Sequence, residues 1–349
     1  MAKSPIPTEL FQQYSVGQPK KNTVLELQSL SNHVYRIETT AGQFVVKEYL
    51  YQNEHVITNL HLVQDKFRSQ GIRIPKVIKN INGSTVTIIG QQRFELTEYI
   101  SNVPLRVPDK ALLRHAGQLL AVMHNSPKSQ FISLPSFNFA QIVSNVARRT
   151  TQFLSEYGKL RKQVPGNMAT RLANLHELIE RTKDNREAIL NGQKPFTFPN
   201  TDFVPTHGDL SLSNILKSAV DGSLYLVDWD FAQLRPPAWD LQWSISQLCR
   251  KKELFPGIAE INFSIAIEFL KAYAETAPFS KHLCEELVEV ADFNFSVHWL
   301  DFTLSRVLLG DFRALAVIPT DSKVALFWKD NLPQYRDYLL NHVANLATN

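Results

Sequence analysis

The firmest constraint on the fold is a change of hydrophobic period near residue 100. Up to Tyr99 the chain alternates in short runs: TVLELQSL, then VYRIETTAGQFVVKEYL with turn residues at Ala41-Gly42, then STVTIIGQQRFELTEYI with a turn near Gly90. Alternation broken by such turns predicts antiparallel hairpins. Between them, Val56, Leu60, Val63 and Phe67 recur at helical spacing and the run ends at Gly71, so one helix should cross a small sheet. Beyond Ile100 the period becomes helical. Pro108-Asp109 opens a run with Leu112, Leu113, Ala116, Leu119, Leu120 and Met123 on one face, residues 138–192 are mostly helix-compatible, and further helices fit 257–276 and 280–313. A short strand-loop-strand, FTFPNTDFVPTHGDLSLSNIL followed by the strand LYLVDWD, is inserted among them. The expectation is an α+β chain: a small antiparallel-sheet lobe over 1–99 and a larger, mostly helical lobe over 100–349, with a ligand cleft as the default site.

Composition excludes several functions for such a chain. Two cysteines in 349 residues, Cys249 and Cys284, are too few for a disulfide framework or a cysteine-rich zinc site and suit a reducing compartment. A bound metal must therefore sit on oxygen. The 37 Lys+Arg nearly balance 33 Asp+Glu, which argues against a nucleic-acid-binding domain. No apolar signal core opens the chain, and no uncharged apolar run approaches the ~18 residues that span a bilayer, so a cytoplasmic protein without membrane contact is expected. Glycine is scarce at 13 residues, and neither G-x-x-x-x-G-K-[ST] nor G-x-G-x-x-G occurs. Glycine-loop NTPases and dinucleotide folds are thereby excluded.

The densest polar cluster is HGDLSLSNIL, which sets His207, Asp209 and Asn214 in one loop, with Asp228 and Asp230 following at the end of the strand. Alternation through Leu224, Leu226 and Asp228 would carry Asp228 out of the core at a strand end. Phosphoryl transfer asks for a carboxylate near the attacking hydroxyl, oxygen ligands for Mg²⁺ and a cation on the nucleotide phosphates. Asp209, Asn214 with Asp228, and the strand-borne Lys47 supply these. Their order and spacing match the protein-kinase H-R-D-L-x-x-x-N and D-F-G elements.

On VPTHGDLSLSNIL, LVDWD, PPAWDL, FVVKEY and FELTEYI the sequence resembles the aminoglycoside phosphotransferase and choline kinase-like small-molecule kinases, from about Leu27 to Leu241. The resemblance implies the bilobal protein-kinase-like fold, with ATP and Mg²⁺ as cofactors. It makes Asp209 the catalytic base, Asn214 and Asp228 the metal ligands, and Lys47 the holder of the nucleotide phosphates. Asp230 would support the metal loop, His207 would orient the catalytic loop, and Asp240 would cap a helix while tying that loop down. Lys47 would take an acidic partner from the crossing helix, with Glu54 the first carboxylate there and Asp65 the second. The backbone of Glu95 to Glu98 would contact the adenine, Glu98 marking the interlobe position. Where relatives carry glycine in the phosphate-covering hairpin, this chain has Ser29, Ser31 and Asn32, which can bond phosphate or turn back on their own backbone. No A-P-E element follows, which favours a small acceptor over a protein.

The acceptor is less constrained. Phe295, Trp299 and Phe302, with Asp292 and Asp301, fall at helical spacing and either line an acceptor pocket for a cationic head group or form core; Trp239 and Trp243 carry the same ambiguity. Residues 1–200 hold 25 Lys+Arg against 14 Asp+Glu, whereas residues 201–349 hold 12 against 19. The acidic second half tilts the expectation toward an amino alcohol or amino sugar, choline-, ethanolamine- or aminoglycoside-like. The alternative is a catalytically silent relative serving as a nucleotide-binding or scaffold protein. Oligomeric state stays open.

Overall fold

The computed structural model describes residues 6–20, 23–27, 29, 32–192, 203–249, 261–318 and 332–343. The chain divides into two compact units: residues 1–106, 130–134 and 213–230 form the first, and 107–129, 135–212 and 231–349 the second.

The first unit opens with a short helix, α1 (Thr8–Gln12), and a five-stranded antiparallel sheet: β1 (Leu25–Leu27), β2 (His33–Thr39), β3 (Gly42–Tyr49), then β4 (Thr87–Ile89) and β5 (Gln92–Glu98), in the order β1-β2-β3-β5-β4. The hairpin turn at Ala41-Gly42 closes Thr39 onto Gly42, and that at Gly90 closes Ile89 onto Gln92. Alternation gives the sheet two distinct faces. Tyr35, Ile37, Val46, Phe94 and Leu96 pack against Ile6, Leu10, Phe11, Tyr14 and Val16 of the amino-terminal segment, which the polar sequence there did not announce. Lys47, Tyr49 and Glu95 belong to the opposite face, since Lys47 pairs with Glu95 in register between β3 and β5.

The crossing helix, α2 (Glu54–Ser69), starts where the Asn53 side chain accepts the Val56 N–H. Its buried stripe runs through Ile57, Leu60, His61, Val63, Gln64 and Phe67, whereas Val56 is exposed, so the helix is rotated from the predicted face and takes a histidine into the interior. A second sheet joins β6 (Asn102–Val103), β8 (Ile215–Ser218) and β9 (Leu224–Leu226). It carries the loops that hold Asn214 and Asp228.

In the second unit Asp109 caps α3 (Lys110–His124), accepting the Leu112 N–H at 2.7 Å. The helical run over 138–192 resolves into α4 (Phe139–Gln163), α5 (Ala169–Arg181) and α6 (Lys183–Leu190). A two-stranded ribbon of β7 (Val204–Thr206) and β10 (Gln233–Arg235) leads into α7 (Pro237–Leu248). After it come α8 (Phe263–Ala274), α9 (Lys281–Phe293) and α10 (Trp299–Val307). The helix expected over 280–313 is thus two helices joined by a π-helical turn over Asn294–His298, and the one expected over 257–276 is described from Phe263. Helices α3 and α8 approach closely because Gly117 has no side chain: a Cβ there would lie 2.3 Å from the Phe269 carbonyl oxygen. Among the described residues no helix is long and apolar enough to cross a membrane.

Candidate active site

The first unit brings four of the predicted residues together. The Lys47 ammonium is buried and bonds Asp228 Oδ1 at 3.0 Å and Asp230 Oδ1 at 2.7 Å. Burial works to lower its pKa, but the two carboxylates, with Glu95 behind them, outweigh that and hold it above the ordinary lysine value. Asp230 is saturated on both oxygens, because Asn32 Nδ2 donates to Oδ2 at 2.5 Å. The same Asn32 accepts the Leu50 N–H through Oδ1, and its own N–H donates to Ser29 Oγ. Asn32 is therefore engaged with the Asp230 loop and the sheet, a correction to its expected role on phosphate, while Ser31 lies outside the described residues.

Asp228 sits just past β9 at φ 61°, the left-handed region that a non-glycine residue seldom adopts. Strand alternation therefore ends at Leu226, and the backbone turn, not the pleat, aims Asp228. The Val227 N–H donates to the Asn214 carbonyl at 3.0 Å, so the antiparallel β8-β9 pair delivers Asn214 opposite the start of the Asp228 loop. Trp229 anchors this loop, stacking at 5.3 Å on Phe67 of α2, which in turn stacks on Phe131.

Glu54 does not supply the acidic partner of Lys47. It is exposed in the first turn of α2, where it complements the helix dipole. Besides Asp228 and Asp230, the carboxylate that faces Lys47 across the sheet is Glu95, which accepts from Tyr49 Oη at 2.8 Å and bonds His61 Nε2 at 2.6 Å. Burial opposes the Glu95 charge, yet His61, Lys47 and Tyr49 bring its pKa below the ordinary value. The helix thus reaches this network through a histidine. Alternation in FELTE, which puts Glu95 on the Lys47 face, was the available signal. At the end of β5 the Glu98 N–H donates to the Lys76 carbonyl at 3.0 Å and its carboxylate accepts the Lys76 N–H at 2.9 Å. That N–H is spent on sheet structure and is not on offer to a base.

The second unit holds His207, Asp209 and Asp240. Asp240, fully buried in the first turn of α7, accepts the His207 and Gly208 backbone N–H groups at 2.7 Å each, one per oxygen, and lies 3.5 Å from His124 Nε2. Burial works against its charge, but His124, His207 and Arg235 lower its pKa below the ordinary value. It ties down the loop as expected, though it does not cap the helix, whose N-cap is Pro236. His207 is also buried, and its Nδ1 accepts the Asp209 N–H at 3.3 Å. The Asp209 carboxylate, half-buried, accepts from Trp243 Nε1 at 2.7 Å.

The residues offered for the acceptor divide. Trp239 is core, 1% exposed among Phe137, Phe139, Phe293 and His298, which corrects its assignment to substrate. Asp301 is paired with Arg149 and Asp292 accepts from Asn185 Nδ2, so each already has a polar partner within the fold. Trp299 is half-buried at the start of α10.

Oxygen ligands suit Mg²⁺, which takes one or two carboxylates and completes its shell with water and phosphate oxygens. Asp228, one-third exposed at its side chain, and Asn214 offer such a set, and among the described residues no cluster of three or more His, Cys, Asp or Glu competes for a cation.

Comparison with known proteins bears on the fold and the family. Three similar solved structures are a spectinomycin phosphotransferase, APH(9)-Ia, in complex with ADP and spectinomycin (15% identity, 93% of this chain and 99% of that one, TM-score 0.59); a microcompartment-associated aminopropanol kinase (13%, 98% and 98%, 0.53); and choline kinase from Cryptosporidium parvum (12%, 95% and 95%, 0.53). At these identities the likeness establishes the kinase-like α+β fold. Comparison with curated protein sequences gives no match. The model of the phosphotransferase enzyme family matches residues 23–278, well over half of the chain, and the chain belongs to that family.

Proposed function

We propose that the chain is an ATP-dependent kinase that phosphorylates a hydroxyl of a small amino-bearing alcohol. The observation that carries this reading is the burial of Lys47 against Asp228 and Asp230, residues more than 180 positions away in sequence. A buried cation beside one buried and one partly exposed carboxylate can hold nucleotide phosphates and a divalent ion, and does little for a merely structural sheet. Membership of a phosphotransferase family and the names of the similar structures, which act on spectinomycin, aminopropanol and choline, support the acceptor class.

In this reading Asp209 accepts the proton of the acceptor hydroxyl as its oxygen bonds the γ-phosphorus and the bond to the bridging oxygen breaks, releasing ADP. Asp240 and His207 fix the loop that carries Asp209, so no reorganisation is needed at that moment. Lys47 would hold the phosphates, exchanging part of its pairing with Asp228 for them. Asn214 and Asp228 would hold Mg²⁺, which when bound supplies charge neutralisation on the phosphates. Asp230 stays with Asn32 and keeps the loop in place.

The test is Asp209→Asn, assayed for ADP release across a panel of amino alcohols and amino sugars. Turnover with the acceptor should fall by about 10²–10⁴-fold, the usual cost of losing a positioned base, while calorimetry finds Mg²⁺-ATP binding intact. Undiminished ADP release would overturn the role.

A further inference from the structure

Helix α7 aims two groups at the catalytic loop. Asp240 takes the backbone N–H groups of His207 and Gly208, and Trp243, three residues on and so on the same helical face, donates its indole N–H to Asp209 Oδ1 at 2.7 Å. The helix carrying both is itself seated by Trp239 in the aromatic cluster and begins at Pro237, which fixes its first turn. The loop backbone and the Asp209 side chain are thus held from one rigid element. An indole is a donor only. It cannot take the proton that Asp209 acquires, nor be inverted to present an acceptor, so it bonds the ionised carboxylate in one sense alone.

We propose that Trp243 is a positioning residue for phosphoryl transfer, its indole N–H fixing the rotamer of Asp209 so that the acceptor hydroxyl meets a carboxylate of set orientation. The inference rests on the reading of Asp209 as the base. Other groups act on the same carboxylate. Arg235 on β10 is buried over Phe137 and Trp239 and places positive charge toward Asp209 and Asp240. His207 lies beneath the Asp209 N–H, and Asp240, backed by His124, supplies the opposing negative charge. Trp243 touches the carboxylate itself, by a directed bond from α7.

Trp243→Phe in the full chain keeps an aromatic ring and removes the donor. Losing a hydrogen bond to a charged group should lower kcat about 10–100-fold while Mg²⁺-ATP affinity stays unchanged. Because the donor favours the ionised carboxylate, the acid limb of kcat against pH should move to higher pH in the variant. A second measurement needs no acceptor and no altered tryptophan. The Trp243 indole ¹H–¹⁵N resonance should titrate with the acid limb in the unmodified protein and lose that titration in Asp209→Asn. Wild-type kcat and pH profile in Trp243→Phe, or an indole resonance indifferent both to pH and to Asp209→Asn, would overturn the proposal. If Trp243→Phe does not fold, the resonance decides alone. Full turnover in Asp209→Asn would instead sink the base assignment, and that variant identifies this case by itself.

Discussion

Gly208 explains, at the scale of a single residue, why this loop reads H-G-D. Its φ is +81°, and a Cβ would lie 2.2 Å from the Phe231 carbonyl oxygen and 2.8 Å from Arg235 Nη1. The guanidinium of Arg235 already fills the space that a side chain at 208 would need. Arginine is thus present beside the catalytic loop, delivered from β10. Gly208→Ala should cost about 1–3 kcal/mol of backbone strain and lower the melting midpoint by several degrees, with loss of ADP release. A melting curve unchanged from wild type would show that the loop does not make this close approach. The residues that fixed local spacing singles out in the sequence are His207, Asp209, Asn214, Asp228 and Asp230. Trp243 could not be separated from Trp239 in the same way. Both are helical tryptophans flanking Asp240, and only the packing of α7 turns one into the core and the other onto Asp209.

Among elements, α2, β3 and β5 were predicted correctly as a helix crossing hairpins, yet the partner of Lys47 was sought on the wrong one. A helix start attracts carboxylates for its own reasons, so Glu54 at the first turn of α2 was ambiguous between dipole and ion pair. The sheet register, which no local pattern states, put Glu95 opposite Lys47 and left α2 to contribute His61. A prediction follows from the lowered pKa of Glu95. Its folded-state value lies below the ordinary 4.5, so its ionisation stabilises the fold above that pH and the contribution fades as pH falls through the folded value. Glu95→Gln should therefore destabilise the protein near neutral pH by about 1–3 kcal/mol, the cost of breaking a buried charged network. Urea titrations of the two proteins should show that gap narrowing as the pH falls below the ordinary carboxylate value. A gap of constant size across that range would mean the stabilisation comes from shape alone.

Across the whole molecule, the switch from alternating to helical period near residue 100 was legible, but membership of the two compact units was not. Residues 213–230 follow His207–Leu212 directly in sequence, yet they belong to the first unit, because β8 pairs with β6 on one side and β9 on the other and the Leu226 N–H donates to the Arg73 carbonyl. Chain order cannot reveal such a return. The consequence is a division of chemistry: Lys47, Asn214, Asp228 and Asp230 lie in the first unit, whereas His207, Asp209, Asp240 and Trp243 lie in the second. Ligands that bind the folded state alone stabilise the segments they touch, and amide exchange reports where. A non-hydrolysable ATP analogue with Mg²⁺ should slow exchange in β3 and around Val227, and should do so equally in Asp209→Asn. Addition of an amino-bearing alcohol from the panel should then slow exchange around His207–Asp209 and the first turns of α7 in wild type. If the analogue protects the His207–Asp209 loop while β3 exchanges as before, Lys47 is not the phosphate-binding residue and the division of roles is wrong. Protection of β3 without any response of the second unit to the alcohols would leave the nucleotide half of the reading standing and refute the acceptor class.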